Sequence, residues 1–229
     1  MTLLLWDVDH TLIETGGVGT EVFGDAFKKA TGRPMTAGMV RAAGHTEPTL
    51  FMRTLELNGV EPSPECFTVF SRAQAEGYRS RLRVLKTRGR ALPGTTELLR
   101  ELDRRSDVIQ TVLTGNTRES AQIKLEAFGL TPYLHLEIGA YGDEAPDRPA
   151  LVAIARKRVQ NRYKTIVTPD TTILIGDTPQ DIKAAHIGGA RVIAIATGSS
   201  TVEDLSGADL VLPSLAEEEH VHSLIEFIA

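Results

Sequence analysis

Short apolar runs alternate with helical patterns along most of this chain, and that alternation constrains the fold more than any other feature. Five runs read as strands: Leu3 to Val8, Val108 to Leu113, Leu134 to Ile138, Thr172 to Ile175, and Arg191 to Ala196. Each is short and rich in Leu, Val or Ile, as strands buried on both faces of a parallel sheet are. Helical patterns separate the later ones, over Thr95 to Arg105, Arg118 to Phe128, Ala150 to Val159 and Gln180 to Ile187. Gly129 follows the second of these and Gly188-Gly189 closes the last, as stop signals. Alternating strand and helix predicts an α/β fold, a Rossmann-like parallel sheet of five or more strands with helices on both faces.

The first strand and the second are too far apart for one crossover helix. The intervening segment carries helical patterns near Thr20 to Thr31, Glu47 to Leu57 and Pro64 to Leu85, with no convincing strand. We read residues 15–92 as an inserted α-helical cap domain, and residues 1–14 with 93–229 as the α/β core. Gly16-Gly17 and Gly19 at the entrance and Pro93-Gly94 at the exit supply hinge chemistry.

Composition excludes several function classes. The net charge of −5 offers no basic footprint for nucleic acid. A local basic run, Arg79, Arg81, Arg83, Lys86, Arg88 and Arg90, reads either as a solvated helix face or as a positive rim that attracts an anionic substrate. No segment has the roughly 18 apolar residues of a membrane span. Cys66 is the single cysteine, so no intramolecular disulfide forms. With no signal-peptide pattern at the start, these features lead us to expect a cytoplasmic protein.

Three short motifs end predicted strands. Asp7-Val8-Asp9-His10-Thr11 follows the first, Thr114-Gly115-Asn116 the second, and Gly176-Asp177-Thr178-Pro179-Gln180-Asp181 the fourth. Ligands of open α/β sheets bind beyond the carboxyl ends of the strands. A pair of aspartates there calls for a divalent cation. A Thr hydroxyl and free backbone N–H groups at a helix start can hold a phosphate. Each motif taken singly also suits an ordinary turn or helix cap. Their order along the chain is the stronger signal.

In that order the chain resembles the haloacid dehalogenase-like superfamily, in its phosphoglycolate phosphatase-like branch. Asp7, Asp9 and Thr11 match the first motif, Thr114 the second, and Gly176-Asp177 with Asp181 the fourth. Leu92-Pro93-Gly94 on return from the insertion, Lys124-Leu125 and Phe128-Gly129-Leu130 extend the likeness over essentially the whole chain. One departure stands out. The third motif usually carries a lysine before proline, whereas Asp147-Arg148-Pro149 stands here, with Lys124 and Lys164 as alternative cations.

The resemblance implies a Mg²⁺-dependent phosphatase that hydrolyses a small phosphorylated metabolite through an aspartyl-phosphate on Asp7. It implies Asp9 as acid and base, metal ligation by Asp7, Asp9 and Asp177, and Asp181 behind the metal site. It implies phosphate contacts from Thr114, Gly115, Asn116 and Arg148. His45, in Gly44-His45-Thr46-Glu47, stands where the branch turns its cap toward the site; it either binds substrate or exchanges protons there, or it is solvent-exposed or caps a helix N-terminus. The alternatives are a phosphomutase of the same superfamily and a non-catalytic binding protein that keeps the fold. The expected assembly is a monomer or homodimer.

Overall fold

The computed structural model describes residues 1–42 and 44–228. Six parallel strands form the main sheet: β1 (Thr2–Trp6), β4 (Val108–Thr114), β5 (Ala140–Tyr141), β6 (Thr172–Gly176), β7 (Arg191–Ile195) and β8 (Leu210–Leu212). They run in the order β5-β4-β1-β6-β7-β8. The chain therefore builds outward from β1 on one side, then crosses to the other, and the strand order reverses between β1 and β6. A crevice opens at the carboxyl ends of strands where that reversal occurs. In β1, paired in parallel with β4 and β6, Leu3, Leu4, Leu5 and Trp6 are all fully buried, because both faces of the sheet are covered.

Alternate residues of that run serve different layers. Leu4 and Trp6 pack with Ile173, Ile175 and Val112 against α5 (Thr95–Asp103), α6 (Arg118–Ala127) and α9 (Glu218–Ile228). Leu3 and Leu5 pack with Leu174 and Val192 against α7 (Arg148–Tyr163) and α8 (Pro179–Gly188).

The stretch Leu134 to Ile138 does not form the expected strand. It runs into a 3₁₀ turn at Leu136–Ile138, and the strand beside β4 is the two-residue β5 that follows. Side chains of β4 explain this. Gln110 and Thr111 bond the carbonyls of Tyr133 and His135, at 3.3 and 2.7 Å, while His135 N–H reaches Gln110 O at 2.9 Å. The backbone polar groups are satisfied without a ladder. Strand β8 and helix α9 were not expected from the pattern; β8 is only three residues long.

The insertion between β1 and β4 is helical: α1 (Val18–Thr31), α2 (Glu47–Leu57), α3 (Cys66–Ser80) and α4 (Leu82–Arg88). Its own core is aromatic, with Phe23, Phe27, Phe51 and Phe70 in edge and stacked contacts. The chain enters and leaves it through a two-residue antiparallel ribbon, β2 (Ile13–Glu14) against β3 (Arg90–Ala91), where the pattern had shown no strand. Gly16, at φ +59°, lies so close to the exit segment that a Cβ there would meet Arg88 O at 2.2 Å. The cap packs over the carboxyl ends of the sheet.

The basic run is split between α3, α4 and β3. Arg79, Arg81, Arg88 and Arg90 pair with Glu119, Asp25, Glu21 and Glu14 at the surface. None of the run lines the cavity described below, so it is a solvated face rather than a rim. Among the described residues no helix is long and apolar enough to cross a membrane.

Candidate active site

Strand ends bring the motif residues together. Asp7 directly follows β1 and is still tied to the sheet, its N–H donating to Ile175 O at 2.8 Å. The chain then turns tightly: Val8 O accepts from the N–H groups of Leu12 and Ile13 at 2.9 and 3.1 Å, with His10 in the left-handed region. This turn sets Asp9 beside the end of β4. Thr114 closes β4 and is fully buried, and Asp177 follows β6. Thr11 Oγ1 lies 3.4 Å from Asp177 Oδ1, so the first and fourth motifs touch.

Arg148, the first residue of α7, enters this cluster although it is almost wholly buried. Its Nη2 is 2.9 Å from Asp7 Oδ2 and 2.5 Å from Asp181 Oδ1. Its Nε has no partner among the described residues. Asp181 works from both ends. Its Oδ2 closes a capping box with Thr178, accepting from the backbone N–H at 3.1 Å and from Oγ1 at 2.6 Å, while Oδ1 holds the guanidinium. Cap acid and site acid are thus the same residue.

A second cation serves Asp9. Lys124 Nζ donates to Asp9 Oδ1 and Oδ2 at 3.0 and 2.7 Å and to Asn116 Oδ1 at 2.7 Å. Asn116 Nδ2 donates in turn to Asp9 Oδ2 and to Thr114 Oγ1, both at 2.8 Å. Lys164, the other alternative, caps the far end of α7 and does not line the cavity.

The acids do not share one environment. Burial pushes the Asp7 carboxyl up to about 6 against the opposing pull of Arg148. Burial, reinforced by Asp7 and Asp181, pushes Asp177 up to about 8. Burial also acts on Asp9, but Lys124 and Asn116 outweigh it and hold that carboxyl below its ordinary value. Burial opposes the charge on Lys124, yet Asp9 dominates and raises its pKa. Asp7, Asp177 and Asp181 offer carboxylate oxygens within 4.8 Å of one another. Four aspartates beside two fixed cations leave a formal deficit of positive charge in one buried crevice.

The cap covers one side of a half-open cavity of about 580 Å³ over these groups. Glu47, Gln74 and Tyr78 line its cap side, together with His45 and Arg41. Glu47 N–H donates to Gly115 O at 2.7 Å, and its carboxylate accepts from Gln74 Nε2 at 2.6 Å; Gln74 Oε1 accepts from Ser120 Oγ at 3.1 Å. Gly115 allows this contact, since a Cβ there would stand 2.1 Å from His45 O. His45 itself is half-buried and accepts from Arg53 Nη1 at 3.2 Å through Nε2. Burial and then Arg53 and Arg148 lower its pKa, which favours the neutral ring. Gln74 and Tyr78 were not singled out from sequence. The available signal was a polar Gln in register with Phe70 and Tyr78, four residues to either side on the buried stripe of α3.

The family model of haloacid dehalogenase-like hydrolases matches residues 1–189. The chain belongs to the haloacid dehalogenase-like hydrolase family. Among solved structures, CbbY from Rhodobacter sphaeroides, in complex with phosphate, superposes with a TM-score of 0.74 at 22% identity, covering 95% of this chain and 96% of that one. A predicted phosphoglycolate phosphatase from Haemophilus somnus 129PT gives 0.68 at 20% identity over 94% and 95%. A hydrolase from Pseudomonas syringae gives 0.69 at 23% identity over the full length of both chains. At such identities these likenesses establish the fold. A comparison with the curated proteins finds no match.

Proposed function

We propose that this chain is a Mg²⁺-dependent phosphatase that hydrolyses a small phosphate monoester through an aspartyl-phosphate on Asp7. The observation that carries the reading is the placement of Asp7: at the end of the central strand, 2.9 Å from the Arg148 guanidinium and close to Asp177, under a helical cap. The neighbours support it, since CbbY was solved with phosphate and another neighbour is a predicted phosphoglycolate phosphatase.

In this reading Asp7 attacks phosphorus in line with the leaving oxygen, and Asp9 exchanges the proton with the leaving group and then with water. Thr114, Gly115, Asn116 and Arg148 hold the phosphoryl oxygens, where positioning and charge neutralisation do most of the catalysis. The donor set suits a hard divalent cation, being all carboxylate and carbonyl oxygen. Both Asp181 oxygens already have donors, so the Asp7 carboxylate, the Asp9 carbonyl and Asp177 would hold the ion, with Asp181 behind them. When bound, Mg²⁺ supplies the positive charge that the aspartates lack. Residues 15–92 act as the cap over a core of 1–14 and 93–229, and His45 faces substrate from the cap. A cavity of this size fits a small phosphorylated metabolite.

The test is release of inorganic phosphate from p-nitrophenyl phosphate with and without Mg²⁺. The reading expects multiple turnovers with Mg²⁺ and none in excess chelator. Full activity in chelator would overturn the metal assignment, and no release under either condition would overturn the reaction.

A further inference from the structure

The two cations of the site are divided between its two reacting acids. Arg148 contacts Asp7 and Asp181, and Lys124 contacts Asp9 and Asn116. Lys124 is nearly fully buried, and its three N–H groups face three acceptors. The Tyr78 ring of α3 covers the ammonium at 5.0 Å. Asn116 has its amide orientation fixed, because Oδ1 faces the ammonium and Nδ2 faces the Asp9 carboxylate and Thr114 Oγ1.

Asp9 is therefore held unevenly. Its Oδ2 accepts two hydrogen bonds, from Lys124 and Asn116, whereas Oδ1 accepts one. Swinging Asp9 out of the site would strand a buried ammonium without its counter-charge, which is strongly unfavourable. The carboxylate is thus held in the cavity that Asp7 also lines.

We propose that Lys124 is the positioning residue of the hydrolytic step: with Asn116 it engages Asp9 Oδ2 twice and Oδ1 once, so that Oδ1 keeps a lone pair to take the proton of the water that attacks phosphorylated Asp7. In that step the water oxygen bonds to phosphorus and the bond from phosphorus to the Asp7 carboxylate breaks. The proton moves to Asp9, and inorganic phosphate leaves with Asp7 restored. The inference rests on the phosphatase reading above.

The experiment compares wild type with Lys124→Met and Lys124→Arg on p-nitrophenyl phosphate, whose leaving group departs without a proton. Loss of a positioned base costs on the order of a hundredfold in the step it serves. Lys124→Met should lower kcat by about that factor while kcat/KM changes by less than about threefold, since kcat/KM reports only the steps up to aspartyl-phosphate formation. It should also release a burst of about one p-nitrophenolate per site, and acid quenching should trap phosphorylated protein. Lys124→Arg should recover most of kcat. Should the methionine variant not fold, Lys124→Gln, which keeps a donor but no charge, carries the comparison, with a smaller fall in kcat and again little change in kcat/KM.

Equal falls in kcat and kcat/KM without a burst, or an unchanged kcat, would overturn the proposal. If wild type turns over and only the variant pattern fails, Lys124 loses this role and the phosphatase reading stands. If wild type releases no phosphate from p-nitrophenyl phosphate with Mg²⁺, that reading falls and takes the proposal with it.

Discussion

Arg148 Nη2 lies 2.9 Å from Asp7 Oδ2 while the same nitrogen holds Asp181, so one buried guanidinium links the end of β1 to the start of α8. Arginine stays charged in such a place, and its rigid fork fixes direction as well as charge.

Arg148→Ala should therefore lower kcat/KM by a factor on the order of a hundred, as for loss of a charge-assisted contact of roughly 3 kcal/mol. Arg148→Lys should recover part of the loss. Steady-state kinetics on an aryl phosphate, with folding checked by circular dichroism, decides this. A fully active alanine variant would return the cation's role to another residue.

Metal binding should depend on pH in a definite direction. Asp7 is pushed up to about 6 and Asp177 to about 8 from an ordinary value of 3.8. A carboxyl whose folded pKa is raised stabilises the fold below its unfolded pKa, and that contribution is lost as pH rises through the folded value. The metal-free protein should thus lose stability from about pH 4 to about pH 8 through these two groups. A divalent cation replaces their protons, so the rise in Tm on adding Mg²⁺ should be larger near pH 8 than near pH 5.5. Thermal melts at both pH values, with and without Mg²⁺, measure it. Equal shifts would show that these carboxyls do not bind the ion.

Calcium should inhibit. It accepts more oxygen ligands at longer distance than Mg²⁺, which would draw Asp7 into a further metal contact and spoil its line of attack. Titration of Ca²⁺ into the Mg²⁺-activated enzyme should abolish turnover, and undiminished activity would contradict this.

At the hinge, Gly16→Ala should destabilise the protein by about 1–3 kcal/mol, because alanine brings both a disfavoured positive φ and a clash with Arg88 O. Urea denaturation gives the value. An unchanged midpoint would mean that the entrance adjusts freely.

The parts of this molecule that were legible in its sequence are those governed by local pattern. Leu3 to Trp6 and Ile173 to Ile175 are continuous apolar runs because both sheet faces are covered, and such runs announce themselves. Leu134–Ile138 also read as a short strand but runs into a 3₁₀ turn, because side chains of β4 bond the carbonyls at its start, a tertiary effect with no local signature. The acids at the strand ends were visible from spacing, and the arginine before Pro149 from its departure from the family pattern. The pairing of Lys124 with Asp9 joins residues 115 positions apart. The Glu47–Gln74–Ser120 bridge depends on how the cap closes. Neither follows from periodicity.

The most direct test of the central claim is acid-quench trapping on the wild type and on Asp7→Asn. The amide matches the carboxylate in shape but lacks its nucleophilic charge. With p-nitrophenyl phosphate and Mg²⁺, the wild type should yield a phosphorylated peptide containing Asp7 by mass spectrometry. The folded Asp7→Asn protein should yield neither that peptide nor turnover. A pure, folded Asp7→Asn protein with near wild-type activity, or a phosphoryl group trapped on any other residue, would contradict the account.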